Sequence, residues 1–270
     1  GSTSCHTVTL TSVGTNQYTY SDGLGTSGSF DLTTTGTATS NIGNYAINVS
    51  NFTKTGSNFT DWSAPGANLL VTPLQVSVAV GGVSKVYDGT TAMTNLALSV
   101  GNKVATDTVA ISGIGTYANK NAGTGKDYTV SNLSLTNNPY GNYSLTASSV
   151  TGNDGVITAK PITVTYAAAN KVYDGTTAAI VAASSAGVIS GDKVAFSQSA
   201  VFADKNAATG KTVNISAIAL SGDDKDNYSL SATTATAAAD IAKRTLIISA
   251  VHDSKVYDGQ LTSSATPTAP

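Results

Sequence analysis

Lys-Val-Tyr-Asp-Gly-Thr-Thr occupies residues 85–91 and returns at 171–177. It returns a third time, shortened to Lys-Val-Tyr-Asp-Gly, at 255–259. Tyr87 and Tyr173 stand 86 residues apart, and Tyr173 and Tyr257 stand 84 apart. A fixed period of that length means tandem copies of a small domain, each larger than the unit of a solenoid. Further anchors keep the same order. Tyr117-Ala-Asn-Lys-Asn121 matches Phe202-Ala-Asp-Lys-Asn206, and Lys103-Val-Ala matches Lys193-Val-Ala. Thr-Gly-Lys recurs at 124–126 and 209–211, and Asn-Tyr-Ser-Leu at 142–145 and 227–230. The expected organisation is a divergent N-terminal β module over 3–72, full repeats over 73–158 and 159–242, and the start of a third, incomplete repeat over 243–270.

Within the motif, Val and Tyr favour a half-buried strand. Asp-Gly predicts a tight type I′ hairpin turn, which needs positive φ at both central residues. Tyr87, Asp88 and Gly89, with Tyr173, Asp174, Gly175, Tyr257, Asp258 and Gly259, are therefore read as a structural turn. One carboxylate per copy, with no histidine or second acid at fixed spacing, does not supply an acid–base pair or a hard-cation site. The tyrosine is expected to be half buried, with its hydroxyl on a nearby backbone group as in a tyrosine corner.

Each copy offers about seven short alternating segments separated by Gly, Asn and Pro turns, among them Leu74–Val80, Asp107–Ile114 and Tyr128–Leu135. That pattern predicts an all-β chain of tandem antiparallel β-sandwich (Ig-like) modules arranged as a rod. The alternative is a β-grasp-like module whose one short helix would lie over the Ala-rich Thr176–Ala183. Junctions such as Val71-Thr72-Pro73 and Ala159-Lys160-Pro161 are short and extended, which favours stiffness.

Charged residues make up 11% of the chain, against about 25% in an average domain, and the net charge is −2. No basic face for nucleic acid follows from this. One cysteine, Cys5, excludes an internal disulfide framework. No run of about 20 apolar residues is present, so no membrane-spanning helix is predicted. Gly1-Ser2 has the form of an appended dipeptide, which would make the chain an excised piece.

The search for chemistry leaves few candidates. His6 and His252 have no ligand-type neighbour at metal spacing. Gly222-Asp-Asp-Lys-Asp226 is the densest acidic stretch, so Asp223, Asp224 and Asp226 are weak calcium candidates that lack the turn glycine of a calcium loop. Aromatic residues outside the repeat pattern, Trp62, Tyr18 and Tyr20, are candidates for stacking on a sugar. Lys85 and Lys171 with Asn121 and Asn206 allow a Lys–Asn isopeptide crosslink. No cofactor is expected.

Taken together, Lys-Val-Tyr-Asp-Gly-Thr-Thr, the Lys-Asn-Ala-(Gly/Ala)-Thr-Gly-Lys stretch, Asn-Tyr-Ser-Leu and Ile-Thr-Ala-Lys-Pro-Ile-Thr-Val resemble the YDG domain and the related MBG repeats. These form tandem modules in very large bacterial surface and secreted proteins, many of them filamentous-haemagglutinin-like adhesins exported by two-partner secretion. The resemblance spans 73–259 and is loose over 3–72. It implies an extracellular location at the bacterial cell surface. It also implies a structural stalk that spaces a binding domain from the cell and supports cell–cell or matrix adhesion, as in biofilm. The implied partners are neighbouring repeats of the same chain and a host or matrix glycan or protein. The resemblance carries over no catalytic residues, and no enzyme activity is expected. Two other functions are kept as alternatives: a carbohydrate-binding module in 3–72, or an accessory domain of a secreted glycoside hydrolase.

Overall fold

The computed structural model describes residues 8–59 and 63–269. The chain is nearly all β, 52% strand. Among the described residues there is no α-helix, only a single 3-10 turn at Lys225–Asn227. The chain divides into two compact units, each discontinuous in sequence. The first takes the residues up to 83 with 93–116 and 128–152, and the second takes 84–92, 117–127 and the residues from 153 onward.

The first unit contains a five-stranded antiparallel meander of Thr9–Gly14, Gln17–Ser21, Ser27–Thr34, Gly43–Thr55 and Ala67–Val71. The period of two places Tyr18 beside Phe30 and Leu32 beside Val49. The register shifts between Ser29 and Asp31, opposite Asn51 at φ 52, a left-handed conformation that Asn tolerates. The remainder of the unit belongs to the first repeat. Leu74–Val76 pairs in parallel with Tyr143–Leu145, and Val78–Gly81 pairs antiparallel with Ala97–Val100. Val76, Val109 and Tyr143 form the core there, with Val100, Leu135 and Leu145 against them.

The second unit is built on a four-stranded sheet in the order Lys171–Val172, Ala235–Ala242, Ala208–Ser221, Ala195–Phe202. Lys160–Ile162 pairs in parallel with Tyr228–Leu230, and Thr165–Ala168 pairs antiparallel with Val181–Ser184. Phe202, Val213, Ile215, Ile218, Ala239 and Ile241 form its core, with Tyr166, Tyr173 and Val181 packed around them. From the first repeat, Ser84–Val86 pairs in parallel with Val156–Thr158.

Several expectations are corrected by these pairings. A purely antiparallel module does not form, because four of the described strand pairs are parallel. The opening strand of each repeat lies beside a strand about 70 residues later, a separation that permits the crossover a parallel pair needs. Alternation of residue types marks a strand but not its direction.

The Asp-Gly motif is not a type I′ hairpin. Gly89, Gly175 and Gly259 have φ of 78, 82 and 77, and no motif aspartate has positive φ. The turn is made by the aspartate side chain instead. The Thr90 N–H donates to Asp88 Oδ1 at 2.9 Å, the Thr176 N–H to Asp174 Oδ1 at 2.9 Å, and the Gln260 N–H to Asp258 Oδ1 at 2.9 Å. The strands on either side of the turn then go to different partners. Ser84–Val86 joins Val156–Thr158, whereas the Thr91 carbonyl accepts from the Tyr117 N–H.

The Ala-rich 176–183 stretch is not helical. Ala178 bridges Val201, and Val181–Ser184 is strand. Over 243–269 the structure reproduces the motif turn, with Lys255 Nζ 2.9 Å from Asp258 Oδ1. Its only described bridge joins Ser249 and Thr268, and Tyr257 is 94% exposed.

Candidate functional site at the junction of the repeats

Strand alternation turns Lys85 and Tyr87 inward and leaves Val86 exposed. A buried ammonium needs partners. The Lys85 Nζ donates to Asp88 Oδ1 at 2.7 Å, to the Thr90 carbonyl at 2.8 Å and to Thr90 Oγ1 at 3.1 Å. It also lies 5.7 Å from the centre of the Tyr117 ring. The second copy repeats the knot. The Lys171 Nζ donates to Asp174 Oδ1 at 2.9 Å and to the Thr176 and Ala178 carbonyls, over the Phe202 ring. Lys171 holds the Asp174 carboxyl at about 2, well below its ordinary value. At Asp88 burial acts in the opposite direction, and the hydrogen bonds from Lys85 and Thr90 outweigh it. The motif lysine and aspartate thus close the loop on each other.

That loop presents Tyr87 to the following repeat. All the residues of this contact lie in the second unit. Tyr87 is 1% exposed. Its hydroxyl donates to Asp192 Oδ2 at 2.7 Å, and the Tyr228 hydroxyl donates to the same oxygen. The Lys120 Nζ donates to Asp192 Oδ1 at 2.8 Å and sits 5.8 Å above the Tyr87 ring. The rings of Tyr87 and Tyr228 meet edge to face at 5.5 Å. The Asp192 side chain is 2% exposed.

Burial opposes ionisation of Asp192, but the bonds from Lys120, Tyr228 and Tyr87 override it and hold its pKa below the ordinary value. The Asp192 carboxylate in turn raises Lys120. Burial, followed by Asp192, pushes Tyr228 up to about 12 and raises Tyr87. The Lys120–Asp192 contact is an ion pair and a hydrogen bond. Beside it, Ile189 closes over Gly89, whose added Cβ would come within 3.2 Å of the Ile189 side chain.

Residues 72–151 match the YDG domain, and residues 158–236 match it a second time. The chain belongs to the YDG domain family. No curated protein and no solved structure matches it.

Both YDG repeats use the same receiving edge. The Tyr143 hydroxyl donates to Asp107 and accepts from the Val104 N–H, as the Tyr228 hydroxyl donates to Asp192 and accepts from the Ile189 N–H. The asparagine before each tyrosine reaches backward along the chain. Asn227 Oδ1 accepts the Ala122 N–H at 2.8 Å. Asn142 Oδ1 accepts the Ile42 N–H at 2.9 Å, and its amide donates to Asn41 Oδ1 at 2.8 Å. Asn41-Ile42-Gly43 thus stands where Asn121-Ala122-Gly123 stands one repeat later. Among the described residues, the N-terminal segment supplies no counterpart of Tyr87 or Lys120 to Asp107. In that place lies an open cavity of about 530 Å³ within the first unit, lined by Ile42, Asp107, Asn138, Tyr140 and Tyr143 among others.

Asp107 and Asp192 are not apparent from the sequence motifs. Matching Lys103-Val-Ala to Lys193-Val-Ala imposes an offset of 90, whereas the geometry pairs Val104 with Ile189, Asp107 with Asp192 and Tyr143 with Tyr228 at 85. Lys120 and Asn227 were visible as repeated residues, but their role was not. The Tyr87 hydroxyl meets a carboxylate of the next repeat rather than a nearby backbone group.

The other sequence candidates are placed as follows. Trp62, Cys5 and His6 lie outside the described residues. Tyr18 stacks on Phe30 and Tyr20 on Phe52, and the Tyr20 hydroxyl donates to the Thr53 carbonyl at 3.2 Å, so both rings are engaged within the meander. Asp224 accepts the Lys193 N–H, Asp223 pairs with Lys193 Nζ at 3.3 Å and Asp226 with Lys225 Nζ at 2.6 Å. The three carboxylates are therefore engaged by protein donors, two of them by Lys193. Among the described residues no cluster of three potential metal ligands forms. Lys85 and Lys171 are engaged by their own loops, not by Asn121 or Asn206. No described helix is long and apolar enough to cross a membrane.

These shifts define a pH window. Asp22, held at about 2 chiefly by the Asn58 amide, and Asp174, Asp88 and Asp192 all titrate below the unfolded value near 4. Their contribution is complete above about pH 5 and is lost as pH falls through their folded values, about 2 for Asp22 and Asp174. Tyr87, Tyr228 and Lys120 titrate above their unfolded values near 10, so their contribution is present below pH 10 and is lost as pH rises through their folded values, about 12 for Tyr228. Thermal midpoints are expected to be level from about pH 5 to 9 and to drop on both sides. A midpoint unchanged between pH 4 and pH 2 would contradict the acid half.

Proposed function

We propose that this chain is a structural segment of the stalk of an extracellular bacterial adhesin. In this reading, β-sandwich-type modules stand in a row, hold a binding domain away from the cell surface and support contact between cells or with a matrix. The role is mechanical rather than catalytic, and export by two-partner secretion is the proposed route. The single observation that supports it is the use made of the repeated residues. Tyr87, Lys120, Asn227 and Tyr228 belong to the motifs common to both repeats, and they meet one another at the junction of one repeat with the next. A domain whose repeated residues are turned toward its own neighbour is built for arrays.

The test is small-angle X-ray scattering on the whole chain with and without calcium. An elongated profile unchanged by calcium is expected. A compact profile would sink the stalk reading. Elongation appearing only with calcium would return Asp223, Asp224 and Asp226 to the role of metal ligands.

A further inference from the structure

The first repeat ends in a surface made of Tyr87, Lys120 and the Ala122 N–H, and all three are engaged by the second repeat. The second repeat carries the same set at Tyr173, Lys205 and Ala207. Among the described residues, the Tyr173 hydroxyl, the Lys205 ammonium and the Ala207 N–H have no hydrogen bond or ion pair. The burial of the tyrosine and lysine positions follows, while Ala122 and Ala207 are both half buried. Tyr87 is buried and Tyr173 is half buried. Lys120 is half buried and Lys205 is exposed. The matching knot lysines, Lys85 and Lys171, are buried and half buried. A Cβ on Gly89 meets Ile189, whereas a Cβ on Gly175 meets nothing within 4 Å. Every difference has one sign, and those at Tyr87, Lys120 and Gly89 correspond to contacts that the second repeat makes on the first.

We propose that Tyr173, Lys205 and the Ala207 N–H form a socket for the receiving edge of a further YDG repeat. That edge presents a carboxylate to the tyrosine hydroxyl and the ammonium, and an asparagine amide oxygen to the backbone N–H. The inference rests on reading the Tyr87–Asp192 junction as the means by which repeats are joined. The occupant is defined by chemistry. It carries an aspartate whose tyrosine neighbour lies on the same edge, spaced as Asp107, Asn142 and Tyr143 are in the first repeat and Asp192, Asn227 and Tyr228 in the second. The second edge is taken within this chain by Tyr87 and Lys120 on Asp192, and in the first edge Asn142 is taken by Asn41 and Ile42, so only its Asp107 faces an open cavity and no free asparagine accompanies it. A second copy of the folded chain therefore does not fill the socket.

The experiment compares the chain as it stands with one in which a copy of residues 72–159 is inserted between Ala242 and Lys243. This leaves the sequence around Ala207 unique for amide-exchange mass spectrometry. In the unmodified chain, Ala122 is expected to exchange slowly and Ala207 fast. In the extended chain, exchange at Ala207 is expected to slow by about tenfold or more, as an amide newly closed by a hydrogen bond does. Asn142→Ala in the inserted copy alone, a change that leaves the rest of that edge intact, is expected to restore fast exchange at Ala207. Slow exchange at Ala207 in the unmodified chain, or fast exchange there in the extended one, would overturn the socket while leaving the junction reading standing. Fast exchange at Ala122 in the unmodified chain would overturn both.

Discussion

Asp192→Ala is expected to lower the unfolding free energy by about 2–4 kcal/mol, because it leaves two buried tyrosine hydroxyls without their acceptor. The carboxylate is nearly inaccessible, and Tyr87, Tyr228 and Lys120 all donate to it. Lys120 is partly exposed, so its ion pair is weakened by water and adds less than the hydroxyl bonds do. Asp192→Asn keeps an acceptor oxygen and is expected to cost less than Asp192→Ala. Urea unfolding followed by tyrosine fluorescence measures both. A loss below about 1 kcal/mol for Asp192→Ala would mean that the junction is open in solution.

Tyr87→Ala is expected to cost about 3–5 kcal/mol, in the range for a fully buried aromatic. Its ring meets Tyr228 on one side and Lys120 on another, and its hydroxyl is closed by Asp192. Tyr173→Ala removes the same residue of the same motif, but from a half-buried site, where the ring packs on the second core and the hydroxyl is unbonded. About half the loss is expected there. Equal losses at the two positions would show that the covering of Tyr87 by the next repeat contributes nothing. Because Tyr87 and Asp192 share one hydrogen bond, the double variant is expected to lose less than the sum of the two single ones.

What could be seen in the sequence was local or periodic. The alternation of Lys85, Val86 and Tyr87 reports which side chains point inward, and the repeated anchors report the tandem copies. Asp-Gly signals a turn correctly but not its kind, since a hairpin turn and a turn closed by the aspartate side chain favour the same dipeptide. Whether Thr90 bonds back to Asp88 or the flanking strands pair with each other is decided by what lies beyond. Here that is Ile157, buried beside Lys85 in a parallel pair. The site depends on partners 105 residues apart, Tyr87 with Asp192 and Ala122 with Asn227. No local pattern encodes such a separation. A single shared Lys-Val-Ala tripeptide was enough to misalign Asp107 and Asp192 by five residues. The match between Asn41-Ile42-Gly43 and Asn121-Ala122-Gly123 is too short to stand out until Asn142 and Asn227 are seen to grasp both.

The parallel pairing of early with late strands has a consequence for how the second repeat bears tension. Its opening strand, Lys160–Ile162, lies beside Tyr228–Leu230, and Lys171–Val172 lies beside the end of the closing strand, Ile241–Ala242, the two strands of each pair running the same way. Pulling residue 160 and residue 242 apart therefore slides neighbouring strands lengthwise past each other. The ladder hydrogen bonds, set across the direction of pull, are strained together rather than opened one after another from an end. The topology resists in shear.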